Sequence, residues 1–154
     1  MWQSLATAAI AHGQQLDYGA HITLAIYPDD SPVDVLKKAL ESAAKPWRAL
    51  PVTLAGFGIF PGPCAVLWAA PVVTPSLLDW HAAIQGALPA LTPHPYYRSS
   101  AWMPHVTLST GLQNPGEALA VLLPLWRPVA GHLIQVDLVR FDPIQVLYSL
   151  SLPG

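Results

Sequence analysis

The chain has 154 residues, of which 53% are hydrophobic and only 10% charged, a balance that excludes a disordered polymer and suits one compact domain. Its net charge is -2, and the seven basic residues (Lys37, Lys38, Lys45, Arg48, Arg98, Arg127, Arg140) are scattered, which excludes an extended electrostatic grip on nucleic acid. The single cysteine, Cys64, lies in a Pro-Gly turn (PGPC) and rules out an internal disulfide.

In chain order, MWQSLATAAIAHGQQL predicts a helix over 2–16 without the basic start and apolar continuation of an export signal. Pro71, Pro124, Arg127 and Pro128 interrupt the later apolar stretches below the roughly 20 residues a membrane-spanning helix needs. The expected location is the cytoplasm, with no membrane partner. Next comes HITL (21–24), expected as a strand. SPVDVLKKALESAAK predicts a helix with Ser31 as N-cap, Pro32 in the first helical position and an apolar stripe of Val35, Leu36, Ala39 and Leu40.

Two β-rich runs follow, at 52–60 and 65–73, joined by FPGPC as an antiparallel hairpin. A helix over 75–90 is capped by Thr74 and Pro75, with Leu77, Trp80, Ile84 and Leu88 at helical spacing. A loop carrying Tyr96, Tyr97, Arg98 and Trp102 leads into HVTL (105–108). Asn114 and Pro115 start a third such helix, which Pro124 should end, and runs at 133–141 and 145–152 form a second hairpin through FDPIQ.

The two halves share one order: helix, HxTL, a helix started by proline, two strands. Trp47-Arg48 and Trp126-Arg127 follow corresponding helices, and Phe60 and Phe141 close corresponding strands. The expected architecture is therefore a single α+β domain over 1–154, bilobal and pseudo-twofold, with lobes at approximately 1–73 and 74–154. Two mainly antiparallel sheets flanked by helices would enclose a central groove.

Within an extended HxTL, His and Thr share one face while the intervening apolar residue and Leu take the other. Two such faces offer two imidazoles and two hydroxyls. Histidines that titrate near neutrality can divide the proton transfers of phosphodiester cleavage, and threonine hydroxyls can donate to the non-bridging phosphate oxygens. Chance supplies about 0.3 HxT triplets in a chain of this composition, so two in matching places carry weight. No carboxylate or second histidine lies close in sequence to either motif, so neither a metal nor any other cofactor is expected.

The paired H-x-T-hydrophobic words, roughly eighty residues apart, with proline before the second in MPHVTL, resemble the two-histidine (2H) phosphoesterase superfamily. That superfamily includes bacterial 2'-5' RNA ligase-like proteins and cyclic nucleotide phosphodiesterases. The resemblance implies metal-independent chemistry at a 2',3'-cyclic phosphate or a related nucleotide or RNA-end phosphodiester. It makes His21 and His105 the acid–base pair, in either order, and Thr23 and Thr107 the phosphate-binding hydroxyls. The chain departs from many relatives in having Ala20 where proline often precedes the first histidine, and in showing no strand before its first helix.

Tyr96, Tyr97 and Trp102 are candidates to stack on a base and Arg98 to pair with phosphate. Phe57 and Phe60 read as core packing, with the floor of the groove as the alternative, and His81 as a core-edge histidine of an amphipathic helix. The expected partner is a small cyclic nucleotide or an RNA end; the motifs set no oligomeric state. Beside the phosphodiesterase stand two alternatives, a 2'-5' RNA ligase and a non-catalytic module that captures nucleotides or RNA ends.

Overall fold

The computed structural model describes residues 18–141 and 143–154, so the helix expected over 2–16 lies outside the described residues. It is an α+β fold with a four-stranded antiparallel sheet and a separate two-stranded one. The elements in order are α1 (Val33–Ala44), β1 (Leu50–Phe60), β2 (Ala65–Pro71), α2 (Pro75–Ala87), β3 (Val106–Leu112), α3 (Pro115–Leu122), β4 (Val129–Leu133), β5 (Gln135–Arg140) and β6 (Gln145–Ser151).

Two helices start as their caps dictate. Thr74 accepts from the Leu77 N–H at 3.3 Å ahead of α2, and Asn114 accepts from the Glu117 N–H at 3.3 Å ahead of α3. Helix α1 starts one residue later than the sequence pattern implied. Pro32 is its N-cap, in an extended conformation, and makes no side-chain cap bond. Ser31 is buried, with its N–H bonded to the Pro28 carbonyl at 3.0 Å. Val35, expected in the apolar stripe, is exposed. Pro124 ends α3 as expected, tightening the chain into a 3-10 turn at Leu123–Leu125.

The large sheet has the order β3-β2-β1-β4. Strands β1 and β2 form the expected hairpin, with Gly58 opposite Trp68 and Phe60 opposite Val66. Strand β3 pairs antiparallel with β2, placing Thr107 opposite Trp68 and Val106 opposite Ala69. Strands β5 and β6 form the second hairpin. The run expected as one strand over 133–141 is divided: Leu133 ends β4, and Ile134 leaves the ladder to accept the Leu152 N–H. The first motif also departs from expectation, because residues 21–28 join no strand ladder.

Two compact units result, each drawing segments from both halves of the sequence. The first combines the described residues up to Ile22 with Val52–Val72 and His105–Gly131; the second combines Thr23–Pro51, Val73–Pro104 and His132–Gly154. The first unit's core is Leu54, Ala65, Leu67, Ala69, Val106, Leu108, Leu112, Ala118 and Leu122. The second unit's core joins Leu40, Ala44, Ile84 and Leu152 to the stacked indoles of Trp47 and Trp80, whose centroids are 4.4 Å apart. No helix among the described residues is long and apolar enough to cross a membrane.

Candidate active site

The second motif has the two-faced character its alternation implies. Val106 and Leu108 are buried in the first unit's core, whereas His105, immediately before β3, and Thr107, within it, are half-buried. Because β1, β2 and β3 are in register, Gly58, Trp68 and Thr107 stand side by side across three strands. A Cβ on Gly58 would overlap the Trp68 indole, so the glycine makes room for that ring. The Phe60 ring lies 5.0 Å from the Trp68 ring and meets His105 edge-on at 4.9 Å, and Trp68 and His105 are 5.9 Å apart. The Trp68 Nε1–H is buried without a hydrogen-bond partner, which leaves packing to hold the indole.

His21, in the same unit, has its Nδ1 2.8 Å from the Gly19 carbonyl. A carbonyl can only accept, so Nδ1 carries the proton and the neutral ring keeps its lone pair on Nε2. The Tyr18 ring meets His21 at 4.9 Å in a T-shaped arrangement. Ile22 packs against the first core and Leu24 against the second, so the two apolar positions of HITL are divided between the cores instead of sharing one buried face.

Thr23, in the second unit, is held from the loop that precedes the second motif. Its carbonyl accepts the Trp102 Nε1–H at 3.0 Å. Burial pushes the pKa of the Tyr97 phenol up, with the Thr23 hydroxyl opposing the rise. Of the candidates to stack on a base, Trp102 directs its indole N–H to Thr23 and its ring to His81, and the Tyr97 ring lies 6.2 Å from that of His94. Of the other two, Tyr96 is 75% exposed, with its ring by His94, and Arg98 is exposed. Phe57 packs on the core and against Trp126, as expected, while Phe60 adjoins His105.

Two residues stand behind this arrangement: His81, expected as packing, and Gln85, which the sequence did not single out. His81 is buried on α2, stacks on Trp102 at 4.0 Å and 8°, and brings Nε2 to 2.9 Å from the Tyr97 carbonyl. Gln85, one turn on, donates to the same carbonyl at 2.6 Å. The available signal was a His and a Gln at i and i+4 on the face of a helix that also buries Trp80 and Ile84. No group of three or more His, Cys, Asp or Glu side chains able to hold a metal ion occurs among the described residues.

The two-faced second motif and His21, whose Nδ1 faces the Gly19 carbonyl, can serve proton transfer beside hydroxyl donors. No curated protein matches the chain. The family model for the 2'-5' RNA ligase superfamily matches residues 2–143, a span that contains both HxTL motifs, every helix and the strands through β5. The chain therefore belongs to the 2'-5' RNA ligase superfamily, the two-histidine phosphoesterases.

Proposed function

We propose that the protein is a metal-independent phosphodiesterase that opens a 2',3'-cyclic phosphate, or a related cyclic nucleotide or RNA-end phosphodiester. One histidine of the pair His21 and His105 takes a proton from the attacking water as its oxygen bonds to phosphorus. The other protonates the ring oxygen as its bond to phosphorus breaks. At His21 the reactive atom is Nε2, because Nδ1 is committed to Gly19. Thr23 and Thr107 donate to the non-bridging oxygens.

The observation that carries this reading is the doubled HxTL word in a chain of a superfamily whose members are mostly enzymes. We read the two halves as a duplication whose motifs share one groove. A local likeness supports it: Arg48 and Arg127 each donate to the carbonyl of the tryptophan just before them, at 3.1 and 2.6 Å. Ligation of RNA ends, the reverse chemistry, is the second reading, and the superfamily's description favours it. The sparse basic residues favour a mononucleotide or short RNA end as substrate, and the reducing cytoplasm suits the lone cysteine.

The test is incubation with EDTA against 2',3'-cyclic nucleotides and a cyclic-phosphate-ended RNA, with a 5'-hydroxyl RNA added in a parallel reaction. Ring-opened product from the wild type, reduced by about 10²-fold or more in both His21→Ala and His105→Ala, is the expected result. A joined product would establish ligation. Ligand binding without product would reduce the site to a capture module.

A further inference from the structure

The face of the large sheet that carries Thr107 also carries an aromatic cluster. Gly58 opposite Trp68, and Phe60 opposite Val66, put Gly58, Phe60 and Trp68 on one face of β1 and β2, while Ile59, Leu67 and Ala69 turn the other way to the first unit's core. Trp68 also faces Thr107 on β3, so these rings stand on the polar face of the second motif. A Cβ added to Gly58 would sit over the six-membered ring of the indole, nearest Cζ2 and then equally near Cε2 and Cη2. The indole therefore lies flat across β1, a position that only a glycine leaves open.

Phe60, Trp68 and His105 form a fan. Trp68 is tilted 30° from Phe60 and 58° from His105, and these two tilts together make up the 88° between Phe60 and His105. Angles related in this way require the three ring planes to turn about nearly one axis. All four residues belong to the first unit. Resting on the two-histidine reading above, we infer that Phe60 and Trp68, with Gly58 as the seat of the indole, are positioning residues that fix the orientation of the His105 imidazole for proton transfer.

His105 stands immediately before β3, so the ladder that pairs Val106 and Thr107 with β2 stops one residue short of it. A strand in any case sets where a Cβ lies and leaves an imidazole two side-chain torsions to settle. Edge-on packing against Phe60 and the inclined indole restrict both. A ring contact also orients an imidazole without spending either nitrogen, whereas at His21 the Gly19 carbonyl occupies Nδ1. The condition of the indole supports a role beyond filling space. Its Nε1–H is buried with no hydrogen-bond partner among the described residues, a cost that a phenyl or an aliphatic side chain in the same place would avoid.

Steady-state kinetics of the full chain on a 2',3'-cyclic nucleotide test this. Phe60→Leu stays apolar and removes the flat ring; kcat should fall about tenfold with KM changed less than about twofold, and Phe60→Tyr, which keeps the ring, should stay within about twofold of wild type. Trp68→Leu should behave as Phe60→Leu does. In a His105→Ala background, Phe60→Leu should cost less than about twofold. Equal losses in the two backgrounds, or a loss carried by KM alone, would overturn the inference. Gly58→Ala, which keeps every ring and displaces the indole, covers the case in which a leucine variant does not fold: its kcat should fall with KM little changed, and a wild-type kcat would overturn the inference. A second measurement does not depend on turnover. Nuclear Overhauser contacts between the His105 ring protons, assigned by their disappearance in His105→Ala, and the Trp68 indole should weaken in Phe60→Leu and persist in Phe60→Tyr. Unchanged contacts in Phe60→Leu would overturn the inference, since the imidazole would then hold its place without the phenyl ring. The expected pattern in a protein that turns over no phosphodiester would sustain the positioning role and defeat the reaction assignment instead.

Discussion

At the scale of single residues, His81 shows how burial and hydrogen bonding divide control of one imidazole. It is 3% exposed, and desolvation lowers its pKa while the Tyr97 carbonyl works in the opposite direction. Its Nε2 lies between two partners, the Gln85 amide nitrogen at 2.8 Å and the Tyr97 carbonyl at 2.9 Å. The neutral ring can accept from the amide; the protonated ring can donate to the carbonyl. With the folded pKa below the ordinary 6.5, the unfolded chain binds the proton first as pH falls. The stability this group contributes is thus complete above 6.5 and is lost as pH falls below that value through the folded pKa. We expect the thermal midpoint to drop more between pH 7 and pH 5 in wild type than in His81→Phe, which retains an aromatic ring against Trp102. Identical drops would mean that His81 titrates alike in both states. None of this was legible in the sequence, where a lone histidine on a helix reads as packing; its partners Tyr97 and Trp102 arrive from a loop with no periodicity.

At the scale of elements, local chemistry was legible and long-range pairing was less so. Thr74 and Asn114 mark α2 and α3 because a cap is a contact between residues three apart. Strand β4 escaped notice because VAGHL is short, contains Gly131 and follows Pro128, all features of a loop; its place beside β1 makes it a strand. HITL and HVTL are almost the same word, yet only the second acquires a ladder, because β2 lies beside it. Register also explains a glycine whose value the sequence hid. In β1, Gly58 faces Trp68, whereas Gly56 has nothing within 4 Å of where a Cβ would stand. Gly58→Ala should cost about 1–3 kcal/mol in chemical denaturation, through displacement of the indole, and should lower activity by disturbing the rings at His105. Gly56→Ala should be nearly silent in both assays.

At the scale of the whole molecule, composition speaks to the ligand more than to the fold. With seven basic residues dispersed over 154 and a net charge of -2, few phosphates can be neutralised at once. Binding of a cyclic-phosphate-ended oligonucleotide should weaken with salt at a log–log slope no steeper than about -2, and lengthening the RNA beyond a few nucleotides should add little affinity. A slope steeper than about -4 would require a basic surface that the sequence does not advertise. The paired motifs and the family they mark were readable because each motif is four adjacent residues; the aromatic surroundings of His105 were not, because Phe60 and Trp68 come from two other strands.

The interleaving of the two units bears on how the chain is made. The first unit needs His105–Gly131 and the second needs His132–Gly154, so neither has all its strands until late in synthesis. A ribosome releasing this polypeptide exposes Val52–Val72, with its apolar β1–β2 hairpin, well before β3 is available to cover one edge of it. The nascent hairpin is therefore a natural client for a holdase chaperone, and a slow stretch of translation between residues 72 and 105 would lengthen its exposure without advancing the fold.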